Sequence, residues 1–141
     1  MKNKESFSYA IKLLGKKSYS KKELEEKLYK KFDKKEVKNI ISRLCFYKYI
    51  DDEKLARDIL TTSFEKNRGF FYILATLKKR KIPEKIISKI KEEFDFEKEF
   101  CVAEEFFSKN KKENPSTLIL KLKSRGFSDE TIQKIIDEYG K

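Results

Sequence analysis

Few residues in this chain are equipped for chemistry. Asp51 and Asp52 form an adjacent acidic pair of the kind that can move protons or hold a metal, and Cys45 and Cys101 are two soft potential ligands. Neither pair assembles into a site. Neighbouring positions at a helix start point in different directions and no third ligand accompanies the aspartates, so they read as a cap that also offsets the positive end of a helix dipole. The thiols lie 56 positions apart within apolar helical stretches and read as small hydrophobic residues. There is no histidine, which removes the commonest general base and the commonest zinc ligand. The chain also has no phosphate-cradling Gly-x-x-x-x-Gly-Lys loop and no nucleophile elbow. The expectation is a protein that is not an enzyme, with no cofactor and no metal.

The chemistry that remains is that of binding. The formal net charge is +11 with a pI near 9.5, and it is unevenly spread: residues 1–50 carry a net +9, whereas 51–100 and 101–141 each carry +1. One strongly basic end invites a polyanion, nucleic acid above all. The candidate contacts are Lys16, Lys17, Lys21, Lys22, Lys30 and Lys31, a second cluster of Lys78, Lys79, Arg80 and Lys81, and the single residues Arg68, Lys123 and Arg125. Lys78 to Lys81, like Lys123 and Arg125, cross a helix end, where positive charge also favours the dipole. Lys16, Lys17, Lys21 and Lys22 flank a helix start, where it opposes the dipole, so a functional reason is easier to argue for them. The aromatic residues Phe46, Tyr47, Tyr49, Phe70, Phe71 and Tyr72 are able to stack on bases, but their helical spacing and nearness to repeat joins favour packing between units.

The elements that must position these residues follow from a threefold pattern. Leu24–Leu28–Phe32–Val37, Ile73–Leu77–Ile82–Ile87 and Leu118–Leu122–Phe127–Ile132 share nearly the same spacing, each followed three residues on by isoleucine: Ile40, Ile90 and Ile135. Four residues before each first member stands a helix N-cap residue: Ser20, Gly69 and Asn114. Steps of 50 and 45 residues between equivalent positions read as a tandem helical array in which each unit needs its neighbours.

Local signals place nine helices in three groups of three. Ser20 with Glu23 predicts a capping box, and Asp33 with Glu36 predicts another. Pro83 and Pro115 belong in the first turns of the sixth and eighth helices, Arg125-Gly126-Phe127 stops the eighth, and Ser128 caps the last. The fold class expected is all-α: three tandem three-helix repeats, over 1–50, 51–94 and 95–141, forming an elongated, curved solenoid. A charged fraction of 42% beside 38% hydrophobic residues suits thin amphipathic helices better than a thick core. No apolar run approaches the ~20 residues of a membrane span and no secretion signal is evident, so a cytoplasmic monomer is expected.

From about Ser6 to Tyr139 the array resembles the RecX family of bacterial recombinase regulators. The resemblance rests on Ala10-Ile11-Lys12-Leu13-Leu14, on Tyr19-Ser20-Lys21-Lys22-Glu23-Leu24-Glu25-Glu26-Lys27-Leu28, on Leu122-Lys123-Ser124-Arg125-Gly126-Phe127-Ser128, and most specifically on Tyr49-Ile50-Asp51-Asp52-Glu53-Lys54-Leu55-Ala56. Three departures stand out. The link Lys30-Lys31-Phe32 is one residue short and lacks the family's usual glycine, Gly69-Phe70 replaces a frequent Gly-Pro, and Lys81 occupies another usual glycine position. The resemblance implies a non-catalytic modulator that lies in the groove of a RecA recombinase filament on single- or double-stranded DNA and inhibits strand exchange and ATP turnover. A basic helical DNA-binding module acting without the recombinase is the alternative, and a helical scaffold for another protein a third.

Overall fold

The computed structural model describes residues 2–139, with side chains from residue 4 onward. Among the described residues there are nine α-helices and no strands: α1 (Lys2–Lys16), α2 (Lys21–Tyr29), α3 (Lys34–Phe46), α4 (Asp52–Glu65), α5 (Phe70–Lys79), α6 (Glu84–Glu93), α7 (Phe96–Lys109), α8 (Pro115–Ser124) and α9 (Asp129–Tyr139). The principal packing partners all lie within a triplet: α1 and α2 on α3, α4 on α5 and α6, α7 and α8 on α9. Each triplet encloses its own hydrophobic cluster, centred on Leu24, Leu28 and Ile40, on Ile73, Leu77 and Ile87, and on Leu118, Leu122 and Ile135. The accessible surface is 9499 Å², against ~7,700 Å² for a globular monomer of this mass. Thin stacked units, not one thick core, account for the excess.

The repeated apolar positions face inward because they recur at the spacing of one helical face. Leu24, Leu28, Ile73, Leu77 and Leu122 are wholly buried, each contributing about 1.5–3 kcal/mol from the surface it removes from water. Ser20 and Glu23 form the predicted reciprocal capping box. The second box is only half made. Asp33 accepts from the Glu36 N–H at 2.8 Å, but the Glu36 side chain turns inward, is buried, and leaves Oε2 without a hydrogen-bond partner. Pro83 is the N-cap of α6, one position earlier than expected, while Pro115 does occupy the first turn of α8.

The link after the second helix of each repeat explains two of the sequence departures. In the second and third repeats that helix ends in a left-handed residue, Lys81 (φ 60°) and Gly126 (φ 85°). The next N–H then returns to the carbonyl five residues back, Ile82 to Leu77 at 3.0 Å and Phe127 to Leu122 at 3.2 Å. This is the Schellman closure, which seals the last turn and tucks an apolar side chain under it. In the first repeat the Phe32 N–H returns four residues, to Leu28 at 2.9 Å, with no left-handed residue at this link. One residue fewer removes the need for glycine there. It also leaves Phe32 half-buried where Ile82 and Phe127 are buried.

Of the two cysteines read as small hydrophobic residues, one packs as such and the other does not. Cys45 is half-buried against the first cluster, and Cys101 is exposed. Burial pushes the Cys45 thiol above its ordinary value against the opposing charge of Lys21, with Asp52 and Glu25 adding to the rise.

Candidate interaction surface

The two joins between repeats use one device twice, and it gathers basic residues far apart in sequence. Arg80, at the end of α5, donates from Nη2 to the Ser18 carbonyl in the α1–α2 turn (2.8 Å) and from Nε to the Glu23 carboxylate (3.1 and 3.3 Å). Arg125, at the same repeat position on α8, donates to the Asn67 carbonyl in the α4–α5 turn (2.8 Å) and to the Lys66 carbonyl. Each arginine thus clasps the first turn of the preceding repeat.

A carboxylate completes each clasp from the other side. The Lys21 N–H, in the first turn of α2, donates to Asp52 Oδ1 on α4 at 2.9 Å. The Phe70 N–H, in the first turn of α5, donates to Glu99 Oε2 on α7 at 2.8 Å. Asp52 and Glu99 both stand four residues before a fully buried alanine, Ala56 and Ala103, so they too are repeat equivalents. Both acids fill a helix N-terminus whose N–H groups have no partner within the helix.

The clasps decide where the candidate basic residues lie. At the first join, Lys16, Lys17, Lys21 and Lys22 around the α1–α2 turn are brought beside Lys78 and Lys79 at the end of α5, and all six are exposed. Lys17 stands over the Tyr19 ring at 4.8 Å. Arg80 and Lys81 do not share this freedom, because Arg80 is held in the clasp and Lys81 pairs with Glu26. At the second join, Arg68 lies over the Tyr72 ring at 5.0 Å and Arg125 over the Phe106 ring at 4.8 Å. Burial, and then the charge of Arg68, hold the Arg125 guanidinium below its ordinary value. Lys123 is exposed nearby. Lys30 and Lys31 lie apart, at the end of α2, with Lys31 over the Tyr9 ring at 4.4 Å. Of the nine candidate lysines without carboxylate partners, six therefore flank the first join, while Lys30, Lys31 and Lys123 lie elsewhere, and the candidate arginines Arg68, Arg80 and Arg125 are committed to internal contacts.

The aromatic residues meet the expectation of packing between repeats in part: Phe70 packs across the second join onto Phe96 of α7 and Tyr72 lies against Gly126, whereas the other four rings do not. Phe70 packs within the second cluster, against Phe94 (4.8 Å between ring centres) and Phe96 (5.3 Å). Phe46, Tyr47, Tyr49 and Phe71 are instead 80%, 59%, 57% and 51% exposed. Asp51 and Asp52 behave as caps: Asp51 accepts from the Lys54 N–H at 3.1 Å. The joining role of Glu99 escaped the sequence reading; the alanine register linking it to Asp52 was the available sign.

One concavity is an open groove of about 530 Å³ between α4, α6 and α7, floored by Leu60, Phe64, Ile90 and Val102. No group of three or more His, Cys, Asp or Glu among the described residues is arranged to hold a metal ion. Among those residues no helix is long and apolar enough to cross a membrane.

Stacked three-helix units joined by reciprocal clasps, with charge presented on turns, define an α-helical repeat protein. Residues 7–44 match the family model for the first three-helix domain of RecX. Over 141 aligned residues the chain is 30% identical to the regulatory protein RecX of Pelodictyon phaeoclathratiforme, covering 93% of this chain and 86% of the relative. It is 28% identical to the regulatory protein RecX of Thermus thermophilus over 123 residues, covering 87% and 84%. The crystal structure of RecX from Lactobacillus salivarius shares the fold with a TM-score of 0.82 at 20% identity, covering 98% of this chain and 96% of that one. The chain belongs to the RecX family of regulatory proteins.

Proposed function

We propose that this protein binds the RecA recombinase filament on DNA, as a monomer in the cytoplasm and without catalysis of its own, and inhibits its recombinase and ATPase activities. The observation that carries this reading is the first join, where side chains from two repeats assemble an exposed lysine cluster on a family member built for regulation. A row of clasped units offers separated contacts to successive filament protomers and to DNA phosphates. Modest contacts made together combine through effective concentration. The lysine cluster adds a salt-dependent term by releasing counterions from DNA.

Adding the protein to a matched bacterial recombinase on single-stranded DNA is expected to lower the ATPase rate at substoichiometric or near-equal amounts. Lys78→Glu with Lys79→Glu should weaken the effect more than Lys30→Glu with Lys31→Glu, since only the first pair belongs to the join. An unchanged ATPase rate with the unmodified protein would reject the reading.

A further inference from the structure

At the turn between α3 and α4, Phe46 and Tyr47 meet edge to face at 5.2 Å and Tyr47 meets Tyr49 at 6.3 Å, yet all three rings are more than half exposed. Leaving three neighbouring aromatic rings in water forgoes the burial that aromatic side chains ordinarily gain, and a contiguous patch of this kind marks a contact surface.

The surroundings select the occupant. Tyr49 and Lys48 line one groove with Ser18 and Tyr19 of the α1–α2 turn and with Asp51, Lys54 and Asp58, so the aromatic patch adjoins the turn that carries Lys16 and Lys17. The acids nearby are already engaged: Asp51 with the Lys54 N–H, Asp52 with the Lys21 N–H, Asp58 with the Lys54 ammonium and Glu23 with Arg80. These bonds leave the carboxylates charged, but the ion pairs formed here use Lys54 and Arg80, so Lys16, Lys17 and Lys48 have no carboxylate partner. Exposed rings beside unpaired lysines are complementary to a polyanion that also carries π-faces. A duplex hides its base faces inside its own stack, whereas a single strand presents them.

We propose that Phe46, Tyr47 and Tyr49 form a stacking platform for unpaired bases of single-stranded DNA, whose phosphates are met by Lys16, Lys17 and Lys48. The proposal deepens the DNA-contacting part of the function proposed above and rests on it. Lys17 is already steered toward this side by its position over Tyr19.

The test measures fluorescence anisotropy of the full chain, without recombinase, on labelled oligothymidylate, on an abasic strand of equal length and on a duplex. Phe46→Ala with Tyr47→Ala is expected to weaken oligothymidylate binding tenfold or more and to leave the abasic strand and the duplex unchanged. Phe46→Leu with Tyr47→Leu, which keeps apolar bulk but removes the π-faces, should behave like the alanine pair. Both pairs alter exposed rings, so an unchanged thermal unfolding curve is expected. Equal binding of oligothymidylate and abasic strand by the unmodified protein, or an equal loss on both in the variant, would overturn the platform. So would a variant that keeps its single-strand affinity but no longer inhibits the recombinase, which would give the patch to a protein partner. Because the binding assay omits the recombinase, the platform and the inhibitory function can fail separately.

Discussion

The two joins share a plan and differ in how they execute it. At the second, main chain meets main chain: the Gly69 N–H donates to the Arg125 carbonyl at 3.1 Å and the Phe71 N–H to the Gly126 carbonyl at 2.8 Å. At the first, the equivalent donor on Ser20 is satisfied within its own helix by Glu23, and side chains span the gap. The carboxylates differ likewise, since Asp52 is half-buried whereas Glu99 is completely buried and serves both α5 and α9. A repeat protein can therefore hold one geometry by two means. Close backbone approach is insensitive to pH and salt; a bridge of side chains responds to both.

If the second join is rigid because Glu99 satisfies several donors at once, its removal should have the largest effect in the molecule. Its carboxylate accepts from the Phe70 N–H, the Ser128 N–H (3.0 Å), the Ser128 hydroxyl (2.6 Å) and the Thr131 hydroxyl. Glu99→Ala leaves these donors buried and unpaired, and a loss of about 3–5 kcal/mol is expected in urea unfolding. Asp52→Ala, the same substitution at the first join, should cost about 1 kcal/mol, as for an ordinary cap. Equal losses would mean that the two joins do not differ as described.

Gly126→Ala comes next. A Cβ there would stand 2.5 Å from the Tyr72 backbone nitrogen, on a residue held at φ 85°. The backbone conformation alone costs about 1–2 kcal/mol and the clash about 1–3 more, so a drop of about 2–5 kcal/mol in unfolding free energy is expected.

How much of this was legible beforehand depends on how local each feature is. The helices were legible because an apolar stripe and a cap are properties of a dozen consecutive residues; Ser20, Asn114 and Ser128 took the cap positions they announce. The clasps were not. Arg80 and Ser18 are separated by 62 residues, and a helix-end arginine looks the same whether it faces a dipole, a phosphate or a carbonyl two helices away. Four of the aromatic residues misled for a related reason. Their period says which face of a helix they share and nothing about whether a neighbour covers that face, so Phe70 is packed while Phe46 is open.

The first join is expected to loosen in acid. Burial pushes the Glu23 carboxyl up, but the Ser20 N–H and the Arg80 guanidinium outweigh it and leave it below its ordinary 4.5. A carboxylate held lower in the folded than in the unfolded chain contributes stability that is fully present above the unfolded value. That stability is lost as the pH falls through the folded one, so the bridge weakens as the pH drops below the ordinary value of 4.5. Arg80 and Glu23 side chains are 28% and 18% exposed, which supports about 1–2 kcal/mol for Arg80→Ala at neutral pH. That difference should shrink on acidification to the share carried by the Ser18 carbonyl, which does not titrate. Amide hydrogen exchange at Lys21 should accelerate in the variant, after correction for intrinsic rates, while Phe71 stays protected. Acceleration at both amides would show that the joins open together.

The smallest effect gives the finest comparison. Lys81 and Gly126 occupy the same repeat position and the same left-handed region, yet only Gly126 lies against a neighbouring backbone. Replacing Lys81 with glycine relieves about 1 kcal/mol of backbone strain. The same change removes the Glu26 pair, whose side chains are 41% and 46% exposed, and such a pair contributes about 0–1 kcal/mol. These terms nearly cancel, so Lys81→Gly should alter unfolding free energy by less than about 1 kcal/mol. Raising the salt concentration separates them, because only the ion pair is screened. The variant should then gain on the unmodified protein as salt rises. A difference that did not change with salt would place the value of Lys81 in the backbone of the turn and not in its charge.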